Sequence, residues 1–373
     1  MLKRILPLTL LASIAFLMAG CGGKPSGTKT ADGFHIGIMT GTVSQGEEDF
    51  RAGEQVKARW PGRVNMVTYP DNFMNEQETT IAQFVGLSSD PEVKVIMVAQ
   101  AVPGSVSAAR KIREQRPDIL IGFVQPHEDP AIINTACDIA IQPDQEARGR
   151  TIIETAKKMG AKVFVHYSFP RHMSQQLMAS RRDIMAKTSK ELGIEFHHVN
   201  ALDPMGEGGL PAAQQFALED VPRKIDQYGA ATAFYCTNDG MQEPIIRAIL
   251  EKKAGYFVEQ DVPAPSAGYP AALGIQIPPD KAGDMPWLNE QIKAKIAERG
   301  MSGHFGSWKE PVDMVITRAM AALLVDAVDK KADYKDMATV QKYMEKEAGG
   351  PCLIRKYDQV GNQFLVVLDH ITY

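Results

Sequence analysis

From residue 34 onward, short apolar runs rich in β-branched residues recur, and most are followed by a segment with helical spacing of apolar positions. The pattern predicts strands at 34–39, 64–69, 93–99, 118–124 and 138–141, interleaved with helices at 47–60, 75–87, 105–115 and 145–159. A second series follows. Strands are predicted at 161–166, 195–199 and 231–235, with helices at 174–192, 210–228 and 242–252. Near-continuous apolar strands alternating with amphipathic helices imply parallel sheets covered on both faces. The expectation is two doubly wound α/β lobes joined by a hinge. Residues 34–144 would form the first lobe, completed by about 311–330. Residues 145–310 would form the second, completed by about 350–373. The last third carries a helix at 286–299, an apolar buried helix at 312–328 and a closing strand at 363–371.

The segment before residue 34 has a different pattern. Lys3 and Arg4 precede a run from Ile5 to Met18 that is nearly all apolar, yet shorter than the roughly 20 residues a membrane span needs. Leu17-Met18-Ala19-Gly20-Cys21 then places small residues before a cysteine. This resembles the bacterial lipobox, which implies cleavage after Gly20 and a lipid on Cys21. Residues 22–33 are Gly, Ser, Thr, Lys, Pro, Ala and Asp, a composition that cannot bury a core and suits a tether. The expected location is therefore the extracytoplasmic face of a membrane, with the folded part held by an N-terminal lipid.

Composition narrows the function classes. Of 373 residues, 44% are hydrophobic and 23% charged, which excludes a disordered or fibrous chain. A net charge of −4 without a basic run argues against a nucleic-acid partner. The three cysteines beyond Cys21 cannot all pair, and Cys137 and Cys236 fall in apolar strand patterns where a free thiol acts as a small hydrophobe.

In open α/β sheets, ligands bind beyond the carboxyl ends of the strands. Applied to the strand map, that rule selects Thr42, Ser44, Tyr69, Gln100 and Gln125 from the first series. It selects Tyr167, Phe169, Asn238 and Asp239 from the second. Amides, hydroxyls and a carboxylate can exchange hydrogen bonds with a polar solute, and aromatic faces can pack a flat ring or the apolar face of a sugar. Turn chemistry alone explains an Asn-Asp-Gly sequence. Gln100, Gln125, Tyr167 and Phe169 are not turn formers, so the set as a whole points to a small polar ligand.

The leader, the two α/β series and Ala233-Phe234-Tyr235-Cys236-Thr237-Asn238-Asp239-Gly240-Met241 resemble type I periplasmic binding proteins, the receptors of sugar, nucleoside and autoinducer uptake. The resemblance spans roughly residues 34–330. It implies that Asn238 and Asp239 meet the ligand. It also implies that Gly306-Ser307-Trp308-Lys309-Glu310-Pro311 returns the chain to the first lobe, with Trp308 near the hinge and among the ligand-binding residues. The turn at 40–46 lacks the paired aromatics or Asn-Asp of sugar and nucleoside receptors, which leaves the ligand open and points to a distinct lipoprotein family. The resemblance further implies a membrane permease or a sensor kinase as partner, and no cofactor.

Other constellations carry less. Gly206-Glu207-Gly208-Gly209 has neither dinucleotide nor P-loop spacing. His197 and His198 are neighbours on a strand and point to opposite faces, so they cannot share a metal. There is no G-x-S-x-G, and no nucleophile–base pair is recognisable. The expected function is solute binding rather than catalysis. The alternatives are a ligand-sensing lipoprotein and a surface-anchored enzyme.

Overall fold

The computed structural model describes residues 33–44, 46–358 and 361–373; Cys21 and the rest of the predicted leader and tether lie outside them. The first half of the chain alternates strictly: β1 (His35–Thr40), α1 (Glu47–Arg59), β2 (Val64–Thr68), α2 (Gln77–Leu87), β3 (Val93–Val98), α3 (Ser105–Gln115), β4 (Leu120–Val124), α4 (Pro130–Ile133) and β5 (Ile139–Pro143). The second series follows as α5 (Gln145–Met159), β6 (Val163–Ser168), α6 (Pro170–Met173), α7 (Gln176–Leu192), β7 (Glu195–Asn200), α8 (Gly209–Tyr228), β8 (Thr232–Cys236), α9 (Gln242–Lys252) and β9 (Tyr256–Phe257). The remainder is α10 (Tyr269–Leu273), α11 (Met285–Glu298), β10 (Gly306–Trp308), α12 (Val312–Val328), α13 (Met337–Ala348), β11 (Cys352–Lys356), β12 (Gln363–Leu368) and β13 (His370–Thr372).

Two large sheets and a two-stranded antiparallel sheet, β10-β13, organise these elements. The first has seven strands in the order β11-β12-β5-β4-β3-β1-β2, all parallel except β11, which runs antiparallel to β12. The second has four parallel strands in the order β7-β6-β8-β9. Each lobe is thus a parallel sheet with helices on both faces, as the apolar strands require. The most apolar helix, α12, lies against the first sheet, where Met320 and Leu324 fill the space above Gly122. Its placement follows from composition: a helix with twelve buried residues needs protein on most sides.

Three linkers join the lobes, between β5 and α5, β10 and α12, and β12 and β13. A buried network ties the first two together, and an exposed ion pair joins the second to the third. Arg148 of α5 is fully buried and donates to the Glu259 carboxylate at 2.7 and 3.1 Å, and to the carbonyls of Gln260 and Asp261 at 2.9 and 2.6 Å. Trp308 of β10 donates from Nε1 to the other oxygen of Glu259 at 3.2 Å and lies 5.6 Å from the Arg148 guanidinium. Lys309 and Asp369, from two different linkers, pair at 2.8 Å.

The carboxyl-terminal segment differs from the expectation. Most of residues 350–373 complete the first lobe, since β11 and β12 extend its sheet; only β13 pairs with β10. The single closing strand breaks at Asp369 because its two halves join different sheets. All six residues of β12 are buried, as befits a strand with neighbours on both edges and helices on both faces. Cys137, Cys236 and Cys352 are buried free thiols, with ionisation suppressed by burial. Among the described residues, no helix is long and apolar enough to cross a membrane.

Candidate functional site

The carboxyl ends of the first-sheet strands carry an unusual backbone. Gln100 after β3 and Gln125 after β4 both have positive φ, at 58° and 43°. Non-glycine residues rarely adopt this conformation, and where they do the strain is often tied to function. Each amide meets a buried neighbour. Gln100 Oε1 accepts from the Tyr69 hydroxyl at 3.0 Å, and Gln125 Nε2 donates to Asp313. Tyr69 itself is fully buried. Thr42 and Ser44 sit further out, where both hydroxyls donate to Asp71, the latter at 2.7 Å, and hold its carboxyl below the ordinary range.

The amino-terminal ends of α1 and α12 supply carboxylates to the same region. Acidic residues complement the positive end of a helix, so Glu48 and Asp49 in α1 and Asp313 in α12 have a local reason to be there. Yet Asp49 is only 3% exposed and Asp313 is also buried. Oδ1 of Asp49 has no hydrogen-bond partner. Burial, Asp313 and Glu48 raise the Asp49 pKa well above the carboxylate range. Burial and Glu48 push Asp313 up to about 7, against the Gln125 amide. Tyr69 is raised too, first by burial and then by Asp49 and Asp313.

The second lobe contributes the end of β8. Asn238 closes an Asx turn by accepting from Gly240 N at 3.0 Å, which starts the helical turn of Asp239–Met241. Asp239 is exposed to solvent yet surrounded by protein, as a group on the wall of a cleft is. The surrounding protein and the charges of Asp261 and Glu48 push its pKa to about 7, opposed by donors that include Gln242. Gln242 is fully buried; its Nε2 donates to Asp239 at 2.5 Å and its Oε1 has no partner. The nearby cations are committed elsewhere. Arg181 binds Asp261 at 2.6 Å and Gln145 at 2.6 Å, and Tyr235 donates to the same Asp261 oxygen at 2.8 Å. Arg181 and Arg148 outweigh burial and keep the Asp261 pKa low.

The two walls meet across the lobes. Ser266 donates to Glu48 Oε1 at 2.5 Å, and Gln55 of α1 donates to the Gly283 carbonyl at 3.3 Å. Ala52 packs among second-lobe residues that include Met285. Tyr69, Gln100 and Gln125 therefore gather near Asp49 and Asp313, and Asp239 faces them through Glu48. Thr42 and Ser44 lie at the rim with Asp71.

Two expected site residues, Tyr167 and Trp308, lie elsewhere, and Phe169 is buried beside the end of β8, linked to it through His172 and Thr237. Tyr167 points from β6 into the core beneath α8, where it stacks on Phe234 and donates to Asp220 at 2.9 Å. Alternation along the strand decides this: Val163, Val165 and Tyr167 share one face of the sheet. Phe169 is fully buried, with its ring centroid 4.2 Å from that of His172 and its face toward Arg171. Trp308 belongs to the linker network, buried on Glu259 and Arg148. Asp49, Asp313 and Gln242 were not selected from sequence, because each stands in the first turn of a helix, where acidic and amide residues are ordinary. A carboxylate in the first turn of the largely apolar 312–328 run was the available signal for Asp313.

Comparison with known proteins places this arrangement. A crystal structure of a candidate transcriptional regulator from Clostridium difficile 630 is 25% identical, with a TM-score of 0.83 over 92% of this chain and 99% of that one. A sugar ABC transporter protein from Actinomyces odontolyticus ATCC 17982 shares the fold at 9% identity, with a TM-score of 0.59 over 92% and 96% of the two chains. A substrate-binding protein of a sugar ABC transport system from Bordetella parapertussis 12822 does so at 9% identity and TM-score 0.53, over 92% and 90%. The fold is that of the type I periplasmic binding proteins. In sequence, an uncharacterized protein of Treponema pallidum (strain Nichols) is 36% identical over 205 residues, 52% of this chain and 93% of its own. A second from the same strain is 36% identical over 219 residues, 59% and 98%. The family model described as a protein of unknown function, DUF3798, matches residues 34–306, and the chain belongs to that family.

Proposed function

We propose that this is an extracytoplasmic, lipid-anchored solute-binding protein that captures a small polar ligand between its lobes and presents it to a membrane transporter. The observation that carries the reading is the convergence of polar strand ends and helix starts from both lobes, Tyr69, Gln100, Gln125, Asp49 and Asp313 facing Asp239. Sugar ABC transport proteins with the same fold favour uptake. The sequence before β1, with its apolar run ending in Ala19-Gly20-Cys21, favours export and lipidation. Binding is the proposed activity, since the site offers hydrogen-bonding groups from both lobes. Ligand contact with both lobes would bias the hinge toward a closed form by no more than its differential affinity for the two states.

Two experiments test this. A solute that binds the native state at a hundredfold excess over its Kd stabilises it by about 2.7 kcal/mol. A thermal-shift screen of the full chain in detergent should find such a solute, and Asp239→Ala should abolish its shift while leaving the unliganded melting temperature within about 2 °C. A shift retained in Asp239→Ala removes the site. Metabolic labelling with palmitate should mark the wild type and not Cys21→Ala; equal labelling removes the anchor.

A further inference from the structure

The groups that line the site have an imbalance of charge and of hydrogen-bond type. Glu48 lies close enough to raise the pKa values of Asp49, Asp239 and Asp313, and Asp313 raises that of Asp49. The two guanidiniums behind them are spent on Glu259, Asp261, Gln145 and backbone carbonyls. Helix amino termini offset part of the charge, but two observations remain outside that explanation. Oδ1 of the buried Asp49 has no donor, and neither does Oε1 of the fully buried Gln242, a neutral amide whose other end already serves Asp239. Both orphans are acceptors. One is on the first lobe and one on the second. A buried acceptor without a donor costs roughly 1–3 kcal/mol, more when charged, so each is a demand that a ligand can meet.

We infer that the solute is an organic cation, a small polar molecule whose protonated amine or amidine donates to Asp49 and whose further N–H or O–H groups reach Gln242 and Asp239. This deepens the solute-binding reading and rests on it. An N–H-rich cation satisfies both orphaned acceptors and the surplus negative charge together. A neutral sugar would supply donors without compensating these carboxyl groups as they ionise, and an anion would oppose that ionisation. A bare metal ion fits less well. Among the described residues, the only His, Cys, Asp or Glu donor atoms grouped closely enough for one ion are those of His35, Asp90 and Glu92, at the opposite end of the first sheet. That group is internally paired, with His35 Nδ1 at 2.7 Å from Asp90.

The test is calorimetric titration of the full chain in detergent with matched pairs. The probes are putrescine against 1,4-butanediol, glucosamine against N-acetylglucosamine, and spermidine, ribose and calcium chloride alone. The expected result is that at least one amine binds, that its neutral partner binds at least tenfold more weakly, and that Asp49→Asn and Gln242→Leu each weaken the amine at least tenfold. Neutral compounds binding as tightly as amines would overturn the cation assignment and leave solute binding intact. So would calcium binding in place of the amines. Amine binding unchanged in both variants would overturn the placement. If no probe of either kind binds, both the cation assignment and the solute-binding reading fall.

Discussion

At the level of single residues, the most informative feature is the buried Asp49 carboxyl, whose Oδ1 has no hydrogen-bond partner. A buried charge without a partner destabilises the native state, and natural proteins keep such groups mainly where function needs them. Replacing Asp49 by Asn removes the charge, keeps the shape and offers an N–H toward Asp313. The unliganded Asp49→Asn protein should therefore be more stable than the wild type at pH 8, by an amount on the order of 1 kcal/mol. Chemical denaturation of the two proteins measures this, and a less stable variant would show that Asp49 has a structural partner. This juxtaposition of acidic side chains was hidden in the sequence. Acidic residues at a helix start are ordinary complements to its positive end, and a linear pattern cannot reveal that α1 and α12 begin side by side. The placement of Asp239, Gln100 and Gln125 at strand ends was legible, since strand ends can be located from apolar periodicity alone; the binding rule for open sheets then nominates them.

At the level of elements, two of the linkers are tied into one buried knot. Trp308 was expected to touch ligand; its burial on Glu259 and Arg148 makes it a structural residue of the crossover instead. Trp308→Ala should cost about 3–5 kcal/mol of stability through the cavity it leaves. Arg148→Met should cost about as much, because Glu259 would stay buried without its cation. A variant of either kind that melts like the wild type would remove the knot as a source of stability. Helix packing gives a second check. A Cβ on Gly149 of α5 would come within 2.9 Å of the Arg181 carbonyl oxygen and 2.8 Å of Ile184 Cβ. Gly149→Val should therefore lower the melting temperature, with overpacking costing about 1–3 kcal/mol. Sequence periodicity located α5, α9 and α12 to the residue, since each has an apolar stripe bounded by clear signals. It missed α10, α13 and β11. The first is a five-residue turn, and the others carry few buried residues, so their position is set by tertiary contact rather than by local pattern.

For the whole molecule, proton binding ties the site to global stability. The groups facing one another are Glu48 and Asp49 from α1, Tyr69 after β2, Asp313 from α12, and Asp239 and Asp261 from the second lobe, with Arg148 and Arg181 held behind Asp261. Asp313 and Asp239 titrate near pH 7 in the folded protein, far above an unfolded aspartate at about 3.9. A carboxyl whose folded pKa is raised gives its full stabilisation below the unfolded value and loses it as pH climbs through the folded value. The unliganded protein should thus lose stability from this source between about pH 4 and pH 7–8. Histidines with depressed pKa values, among them His166 and His172, act in the opposite sense below about pH 6.5, so the absolute curve mixes two effects. The comparison with Asp313→Asn separates them, because the histidines are common to both proteins. The variant does not have to ionise a buried carboxyl, and its stability relative to wild type should rise steadily from pH 5 to pH 8. Ligand binding should follow the same protons in reverse. A cation that stays charged throughout favours the ionised carboxylates, so its affinity should increase as pH rises through about 7, with protons released on binding. Calorimetry in two buffers of different ionisation enthalpy reads that release directly. An affinity that falls with pH, or a binding heat independent of buffer, would mean that the carboxylates between the lobes do not contact the solute.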